Sequence, residues 1–209
     1  MKFYDCATAP SPRRVRIFMA EKSIEIETIQ VDLAKGEQFS DDFKKINPLG
    51  EVPLLVLDDG NSISQVTAIC RYLEEIYPET PLHGRTPLER AQVEASNGQL
   101  QANGMFAAAE AFRNATPGFK NRAAPGPHDY AQIPELAQRG LLRLDNLFSD
   151  LDAHLAESQY IVGDYFSVAD ISALTIIDFA RWVKKSIPEN CTNLKRWYDL
   201  VNARPSAKA

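Results

Sequence analysis

Cysteine is scarce in this chain of 209 residues, which contains three, at Cys6, Cys70 and Cys191. An odd number at irregular spacing argues against a disulfide framework, and neither the cysteines nor the three histidines recur at the spacing of metal ligands. The sequence also lacks a C-x-x-C pair, which argues against a thioredoxin-type redox protein. We therefore expect a protein of a reducing compartment that holds no metal.

Long apolar runs and clustered basic residues are missing too. No stretch approaches the roughly 18–20 consecutive apolar residues that span a bilayer, and the opening MKFYDC lacks the apolar segment of a signal peptide. The net charge is −5, and the three neighbouring arginines Arg13, Arg14 and Arg16 are too few for a surface that binds phosphates. We expect a cytoplasmic protein that binds neither membrane nor nucleic acid.

Proline is concentrated in one place, where three prolines occur in the stretch PETPLHGRTP at 78–87. Proline removes a backbone donor and disrupts a helix interior, so this stretch is predicted to be a linker. Beyond it, 88–113 and 135–156 show long helical patterns without strand signals. The predicted division is an α/β domain over 1–78, a linker over 79–87 and an all-helical domain over 88–209.

The region before the linker predicts strands at 2–6 and 25–31 with a helix from Arg13 between them. The stretch NPLGEVPLLVLDDGNSISQVTAICRYL at 47–73 then predicts two antiparallel strands joined by a D-D-G turn, followed by a helix that opens at 64–65. A strand, a helix and a strand, and then two strands and a helix, is the order of a thioredoxin-like domain.

The stretch 47–73 resembles the glutathione site of the glutathione S-transferase family, which has the same G-x-V-P, apolar strand, D-D-G turn and A-I-x-x-Y-L helix. The resemblance extends over nearly the whole chain, including an S-x-x-D capping box at Ser167 and Asp170. It implies an α/β thioredoxin-like N-terminal domain followed by an all-α C-terminal domain, the glutathione transferase fold. It further implies a cis bond between Val52 and Pro53, with the valine backbone paired to the cysteinyl backbone of glutathione.

The same resemblance implies the rest of the tripeptide site. Gln65 matches the acid or amide that meets the γ-glutamyl ammonium. Val66 stands where a serine normally binds the γ-glutamyl carboxylate through its hydroxyl and its N–H, and valine keeps only the N–H, at a cost of about 0.5–1.5 kcal/mol. Gln38 and Phe39 replace the common His and Lys near the glycyl carboxylate, where Lys35 is a further candidate.

Thiol activation is where the sequence departs from the family's pattern. Matching [S/C]-P-x-x-x-R-V-R onto the loop after the first strand places Ala9 where the catalytic hydroxyl or thiol is expected. Ser11 is the nearest hydroxyl and our first candidate for the group that faces the thiol. Two alternatives stay open: Ser11 caps the helix that starts at Arg13, or backbone N–H groups at that helix start stabilise the thiolate. Tyr4 is a weaker candidate, because it lies inside the first strand, where we expect both Tyr4 and Cys6 to be buried.

The chain also resembles fungal and bacterial transferases that lack a Tyr, Ser or Cys activator, through Y-D-x-x-x-x-P-x-P-x-R-V-R-I near its start and A-T-P-G after the fourth helix. In that group a water held by side chains of the helical domain is thought to assist. Arg113 and Asn114 are the polar side chains available here, while Ala109 offers none. Arg113 is therefore a second candidate for stabilising the thiolate, and a solvated surface charge is its alternative role.

The second substrate is expected in an apolar pocket between the loop after the first strand and the helical domain. The candidate lining residues are Pro10, Pro12, Met105, Phe106 and Phe112, and further along the chain Phe179 and Trp182. Aromatic residues at helical spacing also form the core of helical domains, so a core role stays open for these.

Three functions fit this pattern. The first is a glutathione S-transferase that uses glutathione as co-substrate and activates its thiol for attack on small hydrophobic electrophiles, as in detoxification. The others are a non-catalytic glutathione-binding protein and a glutathione-dependent peroxidase or reductase. Ala9 argues against the last, because reductases of this fold use a cysteine there. The family also forms homodimers, in which Asn97 and Gln101 are candidates to complete the neighbour's site.

Overall fold

The computed structural model describes all residues from Met1 to Ala209, and the chain divides into two compact units. The first unit comprises Met1–Thr80 together with Pro125–His128 and Ala209, and the second comprises Pro81–Ala124 and Asp129–Lys208.

The first unit is built on a four-stranded mixed sheet. Its strands are β1 (Lys2–Asp5), β2 (Glu27–Gln30), β3 (Leu54–Val56) and β4 (Ser62–Ser64), in the spatial order β2-β1-β3-β4. β1 is parallel to β2 and antiparallel to β3, and β3 is antiparallel to β4. This is the predicted thioredoxin-like arrangement, because the β1–β2 pair needs a helical crossover while β3 and β4 need only a short turn.

Three helices accompany the sheet: α1 (Pro10–Glu21), α2 (Asp41–Ile46) and α3 (Val66–Ile76). Phe43 of α2 packs with Val31 and Leu54 in one apolar cluster, which Tyr4 joins edge-to-face at a ring distance of 5.8 Å. The register pairs Phe3 with Leu55, and both are fully buried. The two alternating faces of β1 and β3 are thus both covered, which explains why these short strands hold their register.

The start of α1 corrects one prediction. The helix begins at Pro10 rather than at Arg13, and its N-cap is Ala9, which makes no side-chain capping bond. Ser11 therefore lies in the first helical turn and does not cap the helix. Proline is compatible with a first turn because its missing N–H would have no partner there, and this is why two prolines start the helix instead of preceding it.

A buried lysine holds the end of the first unit. Lys22 follows α1, and its ammonium group, fully shielded from solvent, bonds to Glu74 at 2.8 Å and to the carbonyls of Glu79 and Thr80 at 2.7 and 3.0 Å. The pairing with Glu74 and two carbonyl acceptors offsets the desolvation of the charge. The segment after α3 is thereby fixed to the end of α1.

The second unit is all-helical. It contains α4 (Pro87–Leu100), α5 (Phe106–Ala115), α6 (Pro134–Leu155), α7 (Val168–Ala180) and α8 (Thr192–Asn202). Short 3-10 turns lie at Pro117–Phe119, Arg181–Val183 and Pro205–Lys208. None of the helices of the chain is both long and apolar enough to cross a bilayer. The predicted fold class, a thioredoxin-like part followed by an all-α part, is confirmed.

The helix predicted over 88–113 is not continuous. A π-helical turn at Gln101–Met105 separates α4 from α5. The turn includes Gly104, where an added Cβ would lie 2.9–3.0 Å from side-chain atoms of Ile176 and Leu147. Backbone and neighbouring side chains therefore approach so closely that the local geometry is set by packing against α6 and α7, which a periodicity of apolar residues does not reveal.

The capping box at the start of α7 is confirmed. The Oγ of Ser167 accepts from the N–H of Ala169 at 3.3 Å, while the carboxylate of Asp170 accepts from the backbone and hydroxyl of Ser167 at 2.9 and 3.1 Å. Asp170 also accepts from the N–H of Ile161 and the indole Nε1 of Trp197, at 3.0 and 2.8 Å. The box therefore joins the start of α7 to α8 and to the loop that precedes α7.

Candidate active site

The β3–β4 hairpin brings two separated stretches of sequence together. Leu54 at the start of β3 pairs with Ser64 at the end of β4, so 51–53 lie beside 65–66. The Val52–Pro53 bond is cis, as predicted. The backbone N–H and C=O of Val52 make no hydrogen bond within the chain. They are therefore available to an extended peptide ligand, which would add to this edge as a short strand.

Gln65 has a backbone conformation that non-glycine residues seldom adopt, with φ 72° and ψ 131°. Such conformations are costly and concentrate at functional sites. Its exposed side chain does not cap α3; instead Nε2 donates to Oε2 of Glu51 at 3.1 Å. Glu51 was not predicted as a site residue, although its place immediately before Val52 was a signal that could have identified it.

The start of α3 offers backbone donors. The first intrahelical bond runs from the N–H of Ile69 to the carbonyl of Gln65, so the N–H groups of Val66, Thr67 and Ala68 have no acceptor within the helix. No acidic residue lies in this first turn. The Val66 side chain is buried, which leaves its N–H as the group it presents. Unpaired donors and the helix dipole both favour an anion at this position.

The residues predicted near the glycyl end lie on the segment before α2. Gln38 and Phe39 approach Gly50, where an added Cβ would lie 2.8 Å from the Phe39 ring and 3.1 Å from the Gln38 carbonyl. The Oε1 of Gln38 is buried without a hydrogen-bond partner. Lys35 is exposed and pairs with Asp32 at 3.0 Å; hydrogen bonds and charge in this pair raise the pKa of Lys35 and lower that of Asp32.

The loop after β1 is fixed by a buried network. Asp5 is 1% exposed, and its carboxylate accepts from Arg16 and from Gln30, each at 2.6 Å. Arg16 also donates to the carbonyl of Ala7 at 3.0 Å, and the N–H of Ala7 donates to Oε1 of Gln30 at 2.9 Å. Asp5, Arg16 and Gln30 thus hold the loop that leads to Ala9.

This network accounts for a buried residue of β1 that was not predicted. Phe3 and Asp5 are its buried residues, whereas Tyr4 and Cys6 are only partly buried. The sequence predicted burial of Tyr4 and Cys6 but did not reveal the burial of Asp5, because the partners that make Asp5 burial tolerable come from α1 and β2. The Cys6 thiol contacts the hydroxyl of Thr8 at 3.5 Å.

Neither of the other cysteines is suited to chemistry. Cys70 and Cys191 are buried, and desolvation raises the pKa of both thiols, that of Cys70 to about 12. Burial also lowers the pKa of the neighbouring Arg14 to about 10. Because the thiolate is the reactive form, both thiols are expected to be inert in the folded chain.

The first turn of α1 holds the candidate Ser11. Its hydroxyl makes no hydrogen bond within the chain, and the residue is partly buried. Pro10 and Pro12 flank it and carry no N–H, so Ser11 supplies the one N–H of the first three helical positions. Ser11 is therefore the residue through which both predicted kinds of activation, by hydroxyl and by backbone, would act.

Arg113 is engaged by the loop that follows α5. Its guanidinium donates to the carbonyls of Arg122, Ala123 and Ala124 at 2.7, 3.3 and 3.0 Å, and it stacks over the Phe119 ring at 4.5 Å. It is thus a partly buried anchor of the loop and not a solvated surface charge.

The neighbouring Asn114 is buried and supports the same loop. Its Oδ1 accepts from the N–H of Ile133 at 2.9 Å. Gln132 adds bonds from Nε2 to the carbonyls of Arg113 and Thr116, both at 2.7 Å. Both ends of the connection between α5 and α6 are therefore fastened to the end of α5.

Some predicted electrophile residues meet in the helical unit. The Phe112 ring lies edge-to-face with Phe119, Phe179 and Trp182 at centroid distances of 5.1, 5.7 and 5.3 Å. Trp182 is 49% exposed, so this aromatic cluster reaches the surface of its unit. Met105 is buried, and Phe106 is exposed and makes no ring contact with this cluster.

A cavity of about 420 Å³ also lies within the helical unit, between α4, α6 and the residue Ile161. Its lining includes Gln99, Asn103, Arg143 and Asp150, and none of the residues predicted to contact the electrophile. It is therefore separate from the aromatic cluster.

Comparison with known proteins bears on these two units. The chain matches the family model for the glutathione S-transferase N-terminal domain over residues 8–76 and the model for the C-terminal domain over residues 109–205. Glutathione S-transferase 2 of Saccharomyces cerevisiae is 34% identical over 213 residues, which cover 100% of this chain and 88% of the yeast protein.

Solved structures agree with this match. A glutathione S-transferase domain-containing protein of Marinobacter aquaeolei is 35% identical with a TM-score of 0.91, and 99% of each chain is covered. Gtt2 from Saccharomyces cerevisiae is 34% identical with a TM-score of 0.90, covering 100% of this chain and 99% of its own. The described fold is thus the glutathione transferase fold. The chain belongs to the glutathione S-transferase family.

Proposed function

We propose that this protein is a glutathione transferase that binds glutathione and activates its thiol for attack on small hydrophobic electrophiles. The observation that carries the proposal is the convergence at the β3–β4 hairpin. The free backbone of Val52, the side chain of Gln65 and the N–H groups at the start of α3 offer complementary partners to a peptide backbone, an ammonium and a carboxylate. Its relatives are named glutathione S-transferases, in agreement with this activity.

Activation requires a modest amount of free energy. A free thiol with a pKa near 8.5 is only a few per cent ionised at neutral pH, and lowering that pKa by about two units takes roughly 2.7 kcal/mol. One or two hydrogen bonds to the thiolate, at about 1.5–3 kcal/mol each, supply it. We assign this role to Ser11, whose hydroxyl is not engaged and whose N–H lies in the first turn of α1.

Arg113 is the weaker candidate for the same role. Its guanidinium already donates to three carbonyls of the loop that follows α5. Contact with a thiolate would have to replace some of these bonds, so the net gain would be smaller than that of an unengaged donor. That Arg113 assists the thiolate through a held water is likewise a proposal.

The pH–rate profile of Ser11→Ala tests the assignment. If Ser11 donates to the thiolate, conjugation of 1-chloro-2,4-dinitrobenzene should fall about tenfold, and the apparent thiol pKa should rise by about one unit. Glutathione binding should change by less than about twofold. Ser62→Ala, at an exposed serine of β4, is the control and should change none of these quantities. An unchanged profile in Ser11→Ala would transfer the role to the backbone or to a held water.

A non-catalytic glutathione-binding protein is the second candidate, and Ala9 at the usual donor position is the observation that favours it. Purified protein that binds glutathione but conjugates no member of a broad electrophile panel would establish this reading. A peroxidase or reductase role is less supported, because Cys70 and Cys191 are buried and Cys6 lies three residues before Ala9.

We also propose a homodimer of a cytoplasmic protein, in line with the family. Asn97 cannot complete a neighbour's site, because it is buried and its Oδ1 accepts from the hydroxyl of Ser172 at 2.6 Å. Gln101 remains a candidate for that contact.

A further inference from the structure

The carboxylate of Glu51 lies within the glutathione site and has no role in the activity proposed above. We infer that Glu51 is a binding and positioning residue: it orients the amide of Gln65 and supplies the negative charge that the γ-glutamyl ammonium of glutathione meets. This inference rests on the proposed function and extends it to the recognition of one charged group of the ligand.

The hydrogen bond between the two side chains fixes the direction of the amide. Nε2 of Gln65 donates to Oε2 of Glu51 at 3.1 Å, so Oε1 of Gln65 is the amide end left for a ligand. An ammonium group only donates hydrogen bonds and therefore needs acceptors. A reversed amide would turn its N–H groups towards a cation. The carboxylate thus selects the amide orientation that suits an ammonium.

Charge supports the same conclusion. The start of α3 presents N–H groups and the positive end of the helix dipole, which favour the carboxylate of an amino acid but oppose its ammonium. Gln65 is neutral and can offer the ammonium a hydrogen bond but no compensating charge. Glu51 lies at hydrogen-bond distance from Gln65 and provides that charge. The pair therefore complements both ends of the γ-glutamyl zwitterion.

The surroundings of Glu51 hold it in place. Nδ2 of the buried Asn47 donates to the Glu51 carbonyl at 2.8 Å, which fixes the backbone before Val52. Gly126 is buried with φ 99°, and a Cβ added there would lie 3.7 Å from Oε1 of Glu51. Glu51 is thus partly buried, and its carboxylate lies close to a second segment of the same unit.

Calorimetric titration with two ligands tests the inference. The ligands are glutathione and its analogue without the α-amino group, glutaryl-cysteinyl-glycine, and the proteins are the wild type, Glu51→Gln and the control Glu25→Gln. Glu25 is an exposed acid next to the other end of the sheet, so its substitution removes the same charge away from the hairpin. We expect Glu51→Gln to weaken glutathione binding about tenfold and analogue binding less than about twofold. The control should change neither by more than about twofold.

If Glu51 had a purely structural role, Glu51→Gln would weaken the binding of both ligands alike. An equal loss of affinity for the two ligands therefore overturns the inference, as does no loss of affinity at all. The exchanged pair Glu51→Gln with Gln65→Glu provides an independent check, because it restores one carboxylate and one amide to the same two positions. It should recover the preference for glutathione over the analogue, and failure to do so in a folded protein would also overturn the inference. Wild-type protein that binds no glutathione would overturn the proposed function as well, whereas wild-type binding with an equal loss in Glu51→Gln leaves that function standing.

Discussion

Each unit of this protein buries one carboxylate almost completely, and the two are stabilised in different ways. Asp5 in the α/β unit is 1% exposed and is paired with the guanidinium of Arg16. Asp170 in the helical unit is fully buried and accepts from four neutral donors, with no cation beside it. Burial outweighs these bonds and raises the pKa of Asp170.

The two carboxylates, one paired with a cation and one with neutral donors, also hold different parts of the molecule in place. Asp5 shares Arg16 and Gln30 with the backbone of Ala7, so its network reaches the loop that precedes the candidate catalytic residue. Asp170 joins the start of α7 to Trp197 and Ile161 and touches no candidate site residue. We therefore expect damage at Asp170 to affect stability alone, and damage at Asp5 or Arg16 to affect stability and conjugation together.

The largest effect is expected for Asp170→Ala. It leaves the donors of Ile161, Ser167 and Trp197 buried without an acceptor, and the free energy of unfolding should fall by about 3–5 kcal/mol. Urea unfolding followed by tryptophan fluorescence measures the loss, and the exposed Asp164→Ala is the control. Conjugation per folded molecule should stay at the wild-type level. A loss below about 1 kcal/mol would show that the box contributes little.

A smaller loss of stability with a larger loss of activity is expected for Arg16→Gln. The substitution leaves Asp5 without its cation and removes the bond to the Ala7 carbonyl, and about 2 kcal/mol of unfolding free energy should be lost. Conjugation per folded molecule should fall severalfold, because the loop before Ala9 loses an anchor. Arg71→Gln, which removes an exposed arginine paired with Glu75, is the control. Unchanged conjugation per folded molecule would show that Arg16, like Asp170, affects stability alone.

The smallest effect is a pH dependence at Asp170. Since its folded pKa is raised above the unfolded value of about 3.9, the unfolded chain loses this proton first as the pH rises. The contribution of Asp170 to stability is therefore fully present below about pH 4 and is lost as the pH rises through the folded pKa. The unfolding free energies of wild type and Asp170→Asn should be measured across this range. We expect the stability of wild type relative to Asp170→Asn to be greatest at the acid end and to fall as the pH rises. A difference that grows with pH would contradict the direction.

Local signals in the sequence predicted much of the fold. The resemblance of 47–73 to the family implied the cis bond before Pro53, which the structure shows. The D-D-G turn and the capping box each act within a few residues, and the structure shows the hairpin and the helix start that they predicted. The thioredoxin-like order of strands followed from them.

Features that depend on distant partners were not predicted. The burial of Asp5 depends on Arg16 and Gln30, which lie on other elements, so the pattern of apolar residues in β1 did not reveal it. The bond between Glu51 and Gln65 likewise exists only once the hairpin has formed. Sequence periodicity describes one element at a time, whereas these side chains are placed by contacts between elements.

The π-helical turn at Gln101–Met105 has a consequence for changes in chain length. Such a turn contains one residue more than the α-helix it interrupts, and each residue of an α-helix advances the side-chain direction by about 100°. Deleting one residue there would restore a regular helix from α4 into α5 and turn the faces of the two helices relative to each other by that angle. In α5 the face at stake includes Ala107, whose carbonyl lies so close to Gly140 that a Cβ on the glycine would be 2.5 Å away. The number of residues in this turn, more than their identity, therefore sets which side of α5 meets α6.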